Sequence, residues 1–134
     1  MQRRAHPVLA VLLVLYGVAS FVHFVHNAEF LSEYPNMPAS WSRMGVYTAW
    51  VGMSAVGVAG WCLVARGVHI TGLVLLVAYA AFGLDSLGHY ILAPMASHSV
   101  AMNATILVEV GAAALVLVEI ARLVARRLRL RERC

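Results

Sequence analysis

Charge is what this sequence has least of. Asp, Glu, Lys and Arg make up 12% of its 134 residues and hydrophobic residues 62%. That is too little polar surface to cover the core of a soluble domain of this length. A mean hydropathy of +0.81 points the same way, and the excess apolar surface is expected to face lipid. Lysine is missing altogether. The ten basic residues are all arginine, and six of them fall within 122–134. A basic cluster behind an apolar helix marks a cytoplasmic anchor, so the net charge of +4 reads as membrane orientation. No nucleic-acid partner is expected. Cysteine is scarce. Cys62 lies inside an apolar run, Cys134 is the last residue, and neither belongs to a CxxC or CxxCH motif. That excludes a thiol redox motif, covalent haem attachment and a structural disulfide. Internal repeats and low-complexity segments are absent.

Present instead are four apolar runs, at about 7–28, 44–65, 70–92 and 99–121, with an arginine-rich tail at 122–134. Each run is about 20 residues, which at a rise of 1.5 Å matches a hydrocarbon core of roughly 30 Å. Backbone groups in lipid must be satisfied within their own segment, so each run is a helix. The first extends past the apolar stretch of a secretory signal and is read as a span. The connections are short, which makes neighbours antiparallel. The expected fold is therefore all-α: a single transmembrane domain over 1–134, built as an up-down-up-down four-helix bundle. Gly45, Gly52, Gly57 and Gly60 give the second span a small-residue face for close helix approach. Pro94 ends the third span.

Arginine placement orients the bundle. Arg3, Arg4, Arg66 and the tail fall on one side and only Arg43 on the other. Both termini are expected in the cytoplasm of a bacterium, with the bundle in its inner membrane. Trp41, Tyr47 and Trp50 lie near the outer boundary and Trp61 near the inner one, as in an aromatic belt.

Ionisable residues inside spans are costly, so each one is a functional candidate. The first span carries His23, His26 and Asn27, the third Asp85 and His89, and the fourth His98, Met102, Asn103 and Glu109. The predicted orientation brings all of them to the extracytoplasmic half, with Glu109 about 15 Å along its helix. His23 and His26 are spaced i,i+3 and Asp85 and His89 i,i+4, so each pair is expected to share a face. Tyr16, Ser20, His23 and Asn27 form one stripe on the first helix. His98, Met102, Thr105 and Glu109 form another on the fourth. No Arg or Lys lies at the depth of the two carboxylates, so each needs a histidine, a proton or a metal as its partner. Facing stripes of His and carboxylate are how metal sites are built in helix bundles. The expected ligands are His23, His26, Asp85, His89, His98 and Glu109, supported by Asn27, Met102 and Asn103. Glu29 and Glu33, in the outer loop, are expected to be solvated.

Asp85-x3-His89 followed by His98 resembles the copper site of the membrane-bound methane and ammonia monooxygenases, whose C subunit presents Asp-x3-His on one helix and a further His on the next. The resemblance implies a copper site, and with it oxidoreductase chemistry. The strings His23 to Phe30, Tyr34 to Pro38 and Gly88-His89-Tyr90 also resemble an uncharacterised bacterial family of small four-helix membrane proteins.

The sequence thus leads to a membrane metalloprotein with a transition-metal site of one or two ions, copper ahead of iron or zinc, that would activate water or oxygen. One alternative is an electron carrier with haem b held axially by two histidines such as His23 and His89. Another is a metal-free proton-coupled carrier or accessory subunit, with Asp85, His89 and Glu109 as a relay. The bilayer is the expected partner, together with a second copy or another membrane subunit.

Overall fold

Proline starts the first helix and a serine cap starts the second. Pro7 opens α1 (Pro7–Glu29), where its missing N–H is one the helix could not use anyway. The chain then makes a 3₁₀ turn at Leu31–Glu33 and crosses one pole of the bundle to Ser42. The Ser42 hydroxyl accepts from the Gly45 N–H at 3.1 Å and caps α2 (Arg43–Ala65). This computed structural model describes residues 6–131. Arg3, Arg4, Arg133 and Cys134 lie outside them.

Gly67 ends the second span. Its φ of 90° lets the Gly67 and Val68 N–H groups turn back to the carbonyls of Val64 and Leu63, at 3.0 and 2.9 Å. The chain reverses at once into α3 (His69–Leu84), a 3₁₀ turn at Asp85–Gly88 and a short α4 (His89–Leu92). A further 3₁₀ turn at Met95–Ser97 leads to α5 (Val100–Arg131). The third span is thus broken one turn from its end. The fourth runs ten residues beyond the expected 121, because Arg and Leu are good helix formers and no Gly or Pro interrupts them.

Four helical segments are long and apolar enough to cross a membrane: Pro7–Glu29, Arg43–Ala65, His69–Leu92 and Val100–Leu130. Their surfaces fit that role. Ile70, Ile91 and Val100 are 82%, 88% and 87% exposed, a cost that water would not tolerate but lipid does. The chain is an all-α four-helix bundle.

Glycine sets the packing. A Cβ on Gly72 would sit 2.8 Å from the Val64 nitrogen and 2.9 Å from the Gly60 carbonyl, so α2 and α3 meet backbone to backbone. One at Gly57 would strike the Tyr79 ring at 2.6 Å, and one at Gly83 would strike Tyr16 at 2.6 Å. The two tyrosines stack at 4.5 Å, and the Tyr16 hydroxyl donates to the Tyr79 carbonyl at 2.9 Å. Gly45 and Gly52 take no part: a Cβ on Gly45 approaches only its own helix cap, Ser42, and one on Gly52 meets nothing. The tightest partnerships are α2 with α3 and α1 with α5. The α1–α2 seam is looser and holds cavities.

Candidate functional site

Above the tyrosine–glycine core the bundle interior turns polar. Ser20, His23 and Asn27 of α1 are buried, as are Ser86 and His89 of the third span and His98 and Glu109 at and within α5. Glu109 is wholly enclosed, at 0% exposure.

The hydrogen bonds determine where the lone pairs point. The Thr105 hydroxyl donates to the Met102 carbonyl at 3.0 Å, leaving its oxygen to accept from His23 Nδ1 at 3.3 Å. This contact suits the tautomer with the proton on Nδ1, and Nε2 faces Glu109 Oε2 at 3.7 Å. That gap is too long for a hydrogen bond. Ser86 donates to the same Oε2 at 2.6 Å. The Ser20 hydroxyl lies beside Glu109, yet neither it nor Glu109 Oε1 makes a hydrogen bond of good geometry. On the other side, the Asn27 amide nitrogen donates to His89 Nε2 at 3.1 Å, so His89 accepts there and Asn27 Oδ1 is left unpaired. The His23 and His89 rings lie 5.5 Å apart and the His89 and His98 rings 6.2 Å. His98 binds the Pro94 carbonyl through Nδ1 at 3.2 Å, and its buried Nε2 is free.

The sequence candidates therefore divide. His23, His89, His98 and Glu109 come together, and Asn27 touches His89 directly. His26 does not join them. Its Nδ1 is hydrogen-bonded to the Tyr34 hydroxyl at 2.9 Å, and its ring leans on Phe30. Asp85 is exposed and lines a cavity beside the cluster. The cause is local. Residues 85–88 form a 3₁₀ turn, in which positions three apart eclipse. Ser86, three residues before His89, takes the inward place that an unbroken α-helix would give Asp85. Met102 is buried against Tyr34, with its sulfur accepting the Ser99 N–H at 3.4 Å. Asn103 braces the pole, accepting from the Tyr90 hydroxyl at 2.9 Å and donating to the Met95 and His98 carbonyls at 3.2 Å each.

Four contributors could not be read from the sequence as parts of the site. Ser86 could have been found only by expecting the 3₁₀ turn. Ser20 and Thr105 were legible as members of their stripes but not as neighbours of Glu109 and His23. Tyr34 was not legible at all. It descends from the 30–42 loop, is 3% exposed, and stacks 4.9 Å from His89 and 6.4 Å from His98. Burial pushes its hydroxyl up to about 12. Asn36 pins this loop, at a left-handed φ of 58°, by donating to the Leu92 carbonyl at 2.8 Å. The loop is therefore a cover over the cluster. Glu29 is exposed, as expected, and it binds Arg43 and the Tyr47 hydroxyl at 2.7 Å each, tying α1 to α2.

Among the described residues, no group of three or more His, Cys, Asp or Glu side chains stands ready to hold a metal ion. No family model matches the chain, and no curated protein or solved structure matches it either.

Proposed function

We propose that the chain is a membrane metalloprotein whose centre is formed by His23, His89 and Glu109, with His98 as a further ligand. One observation carries the reading. His23 Nε2 and the Glu109 carboxylate face each other at 3.7 Å, and the Thr105 contact suits the tautomer that leaves a lone pair on Nε2. Two facing electron-pair donors in the bundle interior need a proton or a cation between them, and among the described residues no Arg pairs with either. Two imidazoles on one metal, with bonds of about 2.0–2.1 Å, place their ring centres roughly 5–6.5 Å apart. The His23–His89 and His89–His98 spacings of 5.5 and 6.2 Å fall in that range. The Thr105 contact supports the reading too, since metal-binding histidines usually spend their other ring nitrogen on a neighbour. Bringing three donors onto one ion takes side-chain rotation, chiefly of His89 away from Asn27.

The donor set suits copper, iron or zinc. Asp85 is exposed and lines the cavity that His23 and His89 also line, and copper stays slightly ahead on the Asp-x3-His resemblance. A bound metal would supply Lewis acidity or redox chemistry toward water or oxygen. The arginine pole would lie in the cytoplasm and the histidine pole outside, in a bacterial inner membrane.

Elemental analysis with an absorption spectrum tests the proposal. Near-unit metal in the wild type, lost in His23→Ala and Glu109→Gln, is the expected result. A folded, metal-free protein would overturn it. The lack of a ready trio of ligands favours a second reading, in which Ser86, Glu109 and His23 pass protons. Its signature would be an infrared carboxylic-acid band lost in Glu109→Gln. A Soret band would instead establish haem between His23 and His89.

A further inference from the structure

The bundle wall opens beside the centre. Between α1, α2 and the third span lies a cavity of about 320 Å³. One wall is polar, made by His23, Asn27, Asp85, Ser86 and His89. The wall across from it is apolar, with Gly52 and Met53 of α2 flanked by Phe24 and Phe82, and Trp41 of the covering loop also lines the space. Phe82 is 48% exposed and Gly52 is open, so the cavity communicates with the lipid-facing flank of the bundle.

We propose that this cavity is the chamber in which a small, neutral, largely apolar molecule meets the His23–His89 face of the centre. The inference rests on the metal reading for its chemistry but on the cavity alone for its ligand class. Size comes first. Cavities of about 150 Å³ lined by apolar side chains take up benzene or xenon, and this one has about twice that volume. Charge comes second. Asp85 is the one carboxylate in the lining, and no Lys or Arg contributes. An anion would meet the Asp85 carboxylate and lose its water among phenylalanines, and a cation would have to shed its water there too. Access comes third. A molecule that partitions into lipid is concentrated at the flank where Phe82 and Gly52 are exposed. At the inner end it meets hydrogen-bonding groups that fix one polar or reactive atom, as small-molecule sites generally do.

The test uses crystals of the full-length protein under xenon pressure, with metal content measured on the same preparation. Xenon is expected between Phe24, Met53 and Phe82. Toluene should displace it, and benzoate, of the same shape but anionic, should not. Gly52→Leu fills the chamber from a position where an added Cβ meets nothing, and should abolish the xenon site while leaving metal content unchanged. Ala49→Leu, one turn away and also in the lining, is the second blocking variant. Metal-replete wild type that takes neither xenon nor toluene overturns the chamber and leaves the metal reading standing. Displacement by benzoate overturns its selectivity for neutral molecules. A metal-free protein that takes xenon and toluene sinks the metal reading and retains the chamber.

Discussion

Two buried layers of this bundle hold polar side chains, and they treat them in opposite ways. In the tyrosine–glycine layer the Tyr16 hydroxyl is spent on the Tyr79 carbonyl, and glycines at 57, 60, 72 and 83 let rings and backbones touch. In the histidine–carboxylate layer Ser20 Oγ, Asn27 Oδ1, His98 Nε2 and Glu109 Oε1 are buried without partners. Burial is common to both layers, so burial does not mark function. Each unspent hydrogen-bonding atom costs about 1–3 kcal/mol unless something else satisfies it; Trp50 Nε1, Ser54 Oγ and His69 Nδ1 are also unpaired outside the histidine layer, so the mark is the gathering of four such atoms around the histidines. The lower layer holds the helices together. The upper layer is where the proposed centre lies.

Breaking the lower layer should have the largest effect. Gly72→Leu forces a side chain into the Gly60 carbonyl and Val64 nitrogen. Overpacking of this kind costs about 1–3 kcal/mol when neighbours can yield, and here the neighbours are backbone. The expected outcome is a large fall in thermal midpoint, read by circular dichroism in detergent. Gly52→Leu makes the same exchange in open space and should leave the midpoint unchanged. Equal midpoints for the two variants would mean that the α2–α3 seam is not the tight one.

Breaking the upper layer should separate function from folding. His23→Ala and Glu109→Gln are each expected to reduce bound metal to background while the helical signal stays. Glu109→Gln keeps the shape and the Ser86 contact and removes only the charge. If Glu109→Gln binds metal as well as the wild type does, the carboxylate is not a ligand and the centre must be rebuilt around His23, His89 and His98.

How far the residues alone revealed this division differs between the layers. Hydropathy and length disclosed the four spans, because lipid imposes one rule on every residue of a helix. The small-residue face of α2 was visible, yet only Gly57 and Gly60 are used, since which glycine meets a partner depends on the register of α3. The convergence of His23, His89, His98 and Glu109 was legible because antiparallel topology carries helix ends to known levels. Asp85 was misjudged in orientation because a single 3₁₀ turn changes the angular spacing between it and His89. Tyr34 escaped because a loop has no periodicity from which its side-chain direction can be inferred.

A smaller effect tests whether the upper layer is tuned as well as assembled. Thr105→Val removes the acceptor that holds the His23 proton on Nδ1 and keeps the volume. Loss of such a supporting contact typically costs about 10–100-fold in metal affinity. Competition with a chelator of known affinity should show a weakening in that range, with full occupancy restored at high metal. Unchanged affinity would mean that His23 finds its tautomer without Thr105.

The smallest effect belongs outside both layers. Arg43 and Glu29 pair at 2.7 Å on the surface, with side chains 67% and 36% exposed. Water and salt screen such a pair, so it adds little to stability. Arg43→Gln should therefore shift the thermal midpoint barely at all, even though the pair is the shortest ionic contact among the described residues and ties α1 to α2. It touches neither the seam glycines nor the buried histidines, so metal content should also be unchanged. A loss of metal in Arg43→Gln would show that the Glu29–Arg43–Tyr47 tie holds the 30–42 loop, and with it Tyr34, in place over His89. The cover would then be a working part of the centre and not a lid that the bundle tolerates.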